Sequence, residues 1–176
     1  FNKSINILKS RNIFGSVTSK ISEGSDPSLK IIDITVEEKP TGEVSLGAGV
    51  GTSGGTIGGG IKENNFLGKG ISLDTNLSFS KNSVKGHFIY SKPNFNNSDN
   101  TLSTSLSSTK LDNMADFGYK TSETAFSFGT TFQQYEDFYF NPEISTSIER
   151  LETNGSATAN LKKQSGDYFD LYFNYA

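Results

Sequence analysis

Few side chains in this sequence are arranged for catalysis. His87 is the one histidine, and there is no cysteine. A catalytic histidine needs an orienting carboxylate and a nucleophile within reach, and nothing near His87 in sequence supplies them. One histidine without thiolates builds a zinc site only if several carboxylates join it. Gly68-Lys69-Gly70 matches a phosphate loop in composition alone. A Walker loop needs Lys-Ser/Thr and a following helix, and here Ile71 opens a strand-like alternation. No helix pattern follows Gly60, which excludes a dinucleotide fold. Asp112 and Asp116 lack the spacing of an EF-hand calcium loop. The expectation is no enzyme, no metal and no cofactor.

The chemistry that the spacing does support is main-chain hydrogen bonding. Half of the 18 glycines lie between Gly42 and Gly60. In that stretch Val44, Leu46, Ala48 and Val50 share one parity, and Ser45, Gly47, Gly49 and Gly51 the other. Successive strand residues point to opposite faces, so Glu43 to Gly51 is expected to be a strand with one apolar and one bare face. Glycine within a strand weakens it and removes packing. Such a strand suits a seam: an edge that opens or accepts a partner strand.

The elements around this strand divide at Pro40-Thr41-Gly42. Proline lacks the ladder N–H and glycine frees the backbone. Before that point, Phe1, Ile5, Leu8 and Asn12 at helical spacing predict an amphipathic helix, with Gly15 as its stop. Ser16 to Ile21 and Leu29 to Lys39 predict two strands joined by a turn, the back half of a small α+β domain. Beyond it, eight alternating segments recur: Gly42 onward, then Thr56–Glu63, Gly70–Ser80, Val84–Lys92, Thr101–Leu111, Glu123–Phe132, Phe138–Arg150 and Asp167–Ala176. Thr52–Gly55 is expected to be a turn, 112–122 a polar loop, and 154–166 a polar loop with a helical turn near Leu161. The sequence starts within a helix pattern and stops within a strand pattern, so a fragment of a longer protein is expected.

Two architectures produce these one-sided strands: a soluble sandwich, which buries the apolar faces against each other, and a transmembrane barrel, which turns them to lipid. The chain has no apolar run of the length a membrane-spanning helix requires, but a barrel needs none. The net charge of −3 argues against a nucleic-acid partner. Phe66, Tyr90, Phe95, Phe132, Tyr135 and Phe138 fall beside turns at one end of the alternating segments, as in an interfacial aromatic girdle. The opposite parity holds Ser72, Asp74, Asn76, Ser78, Lys85, His87 and Ser91, wettable and sparsely charged, as a barrel lumen would be.

The run Gly42-Glu43-Val44-Ser45-Leu46-Gly47-Ala48-Gly49-Val50-Gly51, then Asn64-Asn65-Phe66-Leu67-Gly68-Lys69-Gly70 and Lys92-Pro93-Asn94-Phe95, resembles the BamA family of outer-membrane protein assembly factors. Ile13-Phe14-Gly15-Ser16-Val17 and Val36-Glu37-Glu38-Lys39-Pro40 are similar to the end of that family's last periplasmic POTRA domain. The TamA translocation factors share most of these pieces. The resemblance implies a mainly β fold. Residues 1–40 would be the C-terminal part of a POTRA domain, and 41–176 the N-terminal half of an antiparallel transmembrane barrel of a Gram-negative outer membrane. It implies that Glu43–Gly51 is one lip of a lateral gate that folds and inserts barrel proteins. The implied partners are unfolded outer-membrane protein clients, outer-membrane lipid and accessory lipoproteins. A TamA-like factor, a passive porin-type barrel and a soluble sandwich binding module are the alternatives.

Overall fold

The computed structural model describes residues 1–51, 54–136 and 138–176. Helix α1 (Asn2–Ser10) leads into a hairpin of β1 (Phe14–Glu23) and β2 (Lys30–Glu38). Ile5 and Val17 are buried where the helix meets the hairpin. Asp26 closes the hairpin turn by accepting bonds from the Ser28 N–H and hydroxyl. Those bonds hold its carboxyl below the usual carboxylate range. The expected helix stop at Gly15 is corrected. Asn12, at φ 57°, takes the left-handed position, a conformation that asparagine tolerates better than most residues. Gly15 lies inside β1, at the bulge between the Phe14–Glu38 and Ser16–Glu37 pairs.

The rest of the chain forms one antiparallel sheet. Its strands are β3 (Gly42–Gly51), β4 (Gly54–Phe66), β5 (Ile71–Ser80), β6 (Ser83–Lys92), β7 (Thr101–Asn113), β8 (Tyr119–Tyr135), β9 (Phe138–Phe140), β10 (Glu143–Thr153) and β11 (Gly166–Asn174). The order is β11-β10-β8-β7-β6-β5-β4-β3, with β9 folded back on β8. Short helices α2 (Met114–Phe117) and α3 (Ala159–Lys163) sit in two connections, the latter where a helical turn near Leu161 is expected. In the β6–β7 connection Asn94, Asn96 and Asn97 hold left-handed conformations.

Three segment boundaries differ from the sequence expectation. The strand expected at Phe138–Arg150 is two strands, because Pro142 cannot donate to a ladder. The loop expected at 112–122 is mostly strand: Asp112 pairs with Lys120 and Asn113 with Tyr119. Of the turn expected at Thr52–Gly55, Gly54 and Gly55 belong to β4, and 52–53 lie outside the described residues.

Pairing carries each side chain's face from strand to strand. One row runs Val44, Ile61, Thr75, Phe88, Leu106, Phe126, Thr146 and Leu171 across all eight main strands. The neighbouring row on the other face runs Ser45, Gly60, Asn76, His87, Ser107, Ala125, Ser147 and Asp170. The apolar face is the exposed one. Ile148 is 61% exposed while its polar neighbour Ser147 is 6% exposed. Side chains crowd on a concave face and spread on a convex one, so the polar rows line the hollow and the apolar rows lie outside. Among the described residues no second sheet packs on the apolar face, as a sandwich would require.

An inside-out face makes a direct test possible. Leu106→Arg, on the convex side, is expected to cost about 2–4 kcal/mol when the chain folds into lipid vesicles. Ser107→Arg, one residue on and facing the hollow, should cost far less. Urea titrations of the two variants in the same vesicles compare them, and equal costs would contradict a lipid-facing convex side.

Candidate functional site

β3 is the end strand of the sheet. It pairs with β4 from Gly42–Glu63 to Gly51–Gly54, and with no other strand among the described residues. All of Glu43, Val44, Ser45, Leu46, Gly47, Ala48, Gly49, Val50 and Gly51 are exposed. Leu46 is 88% and Val50 93% exposed. A strand paired on one side carries a row of unpaired N–H and C=O groups on the other, which is a template for another strand.

The glycines of this region are of two kinds. A Cβ added to Gly47, Gly49 or Gly51 would meet nothing within 4 Å. In the middle of β4 the space is already taken. A Cβ on Gly60 would stand 2.8 Å from the Thr75 carbonyl oxygen, and one on Gly58 3.0 Å from that of Leu77. Gly58 and Gly60 permit close strand approach, whereas Gly47, Gly49 and Gly51 leave a bare, loosely held length of β3. Sequence alone gives both sets the same reading.

The six expected girdle aromatics lie at or next to the three connections at the end of the sheet where β3 begins. Phe66 closes β4, Tyr90 is near the end of β6, and Phe95 is in the β6–β7 connection. Phe132 and Tyr135 end β8, and Phe138 opens β9. Phe132 meets Phe140 edge to face at 5.5 Å between centroids, and Tyr135 meets Phe138 at 6.4 Å. The Lys92 ammonium lies 5.7 Å from the Phe95 ring centre.

His87 faces the hollow with its Nε2 3.5 Å from Asp74 Oδ1. The sheet therefore supplies the carboxylate that local sequence lacks. Ser107 is its cross-strand neighbour, yet no hydrogen bond joins the two among the described residues. The contact is a histidine–carboxylate pair on a polar wall.

Sequence reading missed a cluster at the base of β3. Thr41 donates its hydroxyl to Glu63 Oε1, and the Asn65 N–H donates to the same oxygen at 2.7 Å. The Thr41 carbonyl accepts from the Asn64 N–H and Nδ2, each at 3.3 Å. A signal was present: Glu63 is a charged residue on the apolar parity of β4, opposite Leu73.

No family model matches the chain, and no curated protein matches it. Among solved structures, it is similar to the crystal structure of BamA from Haemophilus ducreyi lacking POTRA domains 1-3. The TM-score is 0.71 at 21% identity, over 99% of this chain and 36% of that one. The fold is therefore mainly β and antiparallel, that of part of a BamA barrel. The chain spans 36% of the length of that structure.

The two glycine classes predict opposite responses. Gly60→Ala should destabilise the sheet by about 1–3 kcal/mol through overpacking against the neighbouring backbone. Gly47→Ala should be neutral or stabilise by up to about 1 kcal/mol, by restricting the unfolded chain. Denaturant midpoints of the two variants decide it.

Proposed function

We propose that this chain belongs to an outer-membrane barrel that folds and inserts other β-barrel proteins, with Glu43–Gly51 as one lip of a lateral seam. The observation that carries the reading is the glycine pattern of β3: a Cβ on its inner-facing Gly47, Gly49 or Gly51 would meet nothing within 4 Å, whereas one on Gly58 or Gly60 of the paired β4 would be crowded by backbone. The likeness in fold to a BamA barrel supports it. In this reading the convex apolar face meets lipid and the girdle aromatics sit at its near boundary. Residues 1–40 are the end of a POTRA domain in the periplasm.

The mechanism follows from the edge. An unfolded client strand adds to β3 through main-chain hydrogen bonds, which demand no particular side chains. In lipid no water competes for those groups, so the unpaired edge gains from each bond formed. Burial of the client's own apolar band supplies the driving force, so no nucleotide is required. Accessory lipoproteins would complete the machine. A passive porin has no use for a bare first strand, whereas a TamA-like factor would use the same edge.

Photo-crosslinkers at Leu46 and Gly49 should capture client strands during assembly, and one at Phe88, in the middle of the sheet, should not. Client contacts confined to residues 1–38 would overturn the proposal. Gly47→Val with Gly49→Val should slow client assembly several-fold. The chain's own fold leaves room for both side chains, so an unchanged rate would count against a seam.

A further inference from the structure

We infer that Glu63, acting with Thr41 and Asn65, fixes the register of β3 on β4. Register is normally set by side chains that would land on the wrong face or against the wrong neighbours, and it is weakly specified where strands are rich in glycine. This ladder is such a case. Ser45 faces Gly60, Leu46 faces Gly59, Gly47 faces Gly58, Val50 faces Gly55, and Gly51 faces Gly54. A slip by one residue would turn the apolar side of β3 toward the hollow, which the face pattern forbids. A slip by two keeps every face. It moves Leu46 from Gly59 to Ile57 or Ile61, both apolar and both on the convex side. Along the ladder the two-residue slip is contested only by Leu46 lying over the bare Gly59 and by Glu43 standing opposite Lys62, an exposed charge pair worth little.

The base of the strand removes that freedom. In the observed register Gly42 lies opposite Glu63. Thr41 then stands where its hydroxyl reaches Glu63 Oε1 and its carbonyl receives both Asn64 donors. Asn65 extends the set: its N–H binds Glu63 Oε1 at 2.7 Å, and its Oδ1 accepts from the Gly70 N–H at 2.7 Å. The cluster is thereby tied to the β4–β5 turn. Gly42 completes the fit, since a Cβ there would lie only 3.0 Å from Glu63 Oε2. A two-residue slip would bring Glu43 or Lys39 to the place of Thr41, and neither offers a hydroxyl. The carboxylate would then lose the Thr41 bond and keep that of the Asn65 N–H, beside a second carboxylate in one direction and a long flexible ammonium in the other. A donor lost on the apolar face is costly for a charged group. Glu63 is thus a positioning residue. It leaves the glycine-rich length of β3 loose while fixing which main-chain groups the free edge presents. This holds whatever strand pairs with that edge, and it does not depend on the assembly reading.

The chain has no cysteine of its own, so introduced pairs report register cleanly. Val44→Cys with Ile61→Cys reads the observed register, the residues being directly opposite with Cβ atoms about 4.5–5.5 Å apart. Leu46→Cys with Ile61→Cys reads the slipped one, the residues being diagonal, about 7–8 Å apart, until a slip brings them opposite. The measurement is the ratio of slipped to native crosslinking rates in the full chain folded in detergent under mild oxidation. Glu63→Ala and Thr41→Val should each raise the ratio several-fold. Glu63→Gln, whose side-chain oxygen can still accept both bonds, should leave it near the parent value. Leu106→Cys with Phe126→Cys, opposite each other on β7 and β8, should crosslink equally in all variants and certify the rest of the sheet. If Glu63→Ala loses that control, Thr41→Val decides, since it removes one hydroxyl. An unchanged ratio in the folded variants, or a Glu63→Gln shift as large as that of Glu63→Ala, would overturn the inference.

Discussion

Under the proposed placement in lipid, a sheet whose apolar face is convex and exposed must satisfy its main-chain hydrogen bonds within itself. Away from water, nothing else satisfies an N–H or a C=O. The architecture follows from this. The main strands are long and antiparallel, and each interior one is paired on both sides. The hollow side carries hydroxyl and amide side chains that bond across strands, as Ser105 does with Ser127 at 2.8 Å. Only at the ends of the sheet is the ladder one-sided. Of the two end strands among the described residues, β3 has the fewer side chains to shield its backbone.

That strand combines two requirements that pull against each other. It has to be loose, and its glycines with open space around them provide looseness. It also has to hold one alignment, which looseness tends to destroy. The structure separates the two along the strand. Close packing of Gly58 and Gly60 against β5 keeps β4 fixed, and the bonds of Thr41, Glu63, Asn64 and Asn65 anchor the base of β3 to it. Beyond Ser45, whose hydroxyl donates to the Gly60 carbonyl at 3.4 Å, β3 carries no such anchor among the described residues. Neighbouring glycines of one cluster thus serve two purposes, and only the space around each one tells them apart.

Strand identity was legible in the sequence wherever one face stayed apolar. Period-2 alternation located the eight main strands, and their cross-strand rows fall on the faces that the alternation indicates. Legibility failed where physics other than face burial set the boundary. β7 and β8 continue past their last apolar residues because ladder bonds do not need oily side chains, so Asp112 and Lys120 are strand residues despite reading as loop. Asn12 ended the first helix although Gly15 was the conventional candidate, because several residues can adopt a left-handed stop. The partner of His87 and the cluster on Glu63 come from other strands, and only pairing register brings them together. Glu63 did leave a trace, as the charge that breaks the apolar parity of its strand.

The charges on the convex face show how much of it lipid can cover under the proposed placement. On β6 the uncharged outer run extends from Val84 to Tyr90 and ends at Lys92. At about 3.3 Å per residue this is roughly 20 Å along the strand, before any tilt shortens its projection. The apolar band of an outer-membrane barrel is about 25 Å tall. Farther round the sheet, Arg150 pairs with Asp167, its Nε 2.7 Å and one terminal nitrogen 3.0 Å from the carboxylate oxygens. Their row lies just beyond Ile148 and Phe169. The narrow margin is widened at its ends by side chains that tolerate both phases. Lys92 can extend its charged tip away from the apolar band, and Tyr90 and Phe95 suit the interface.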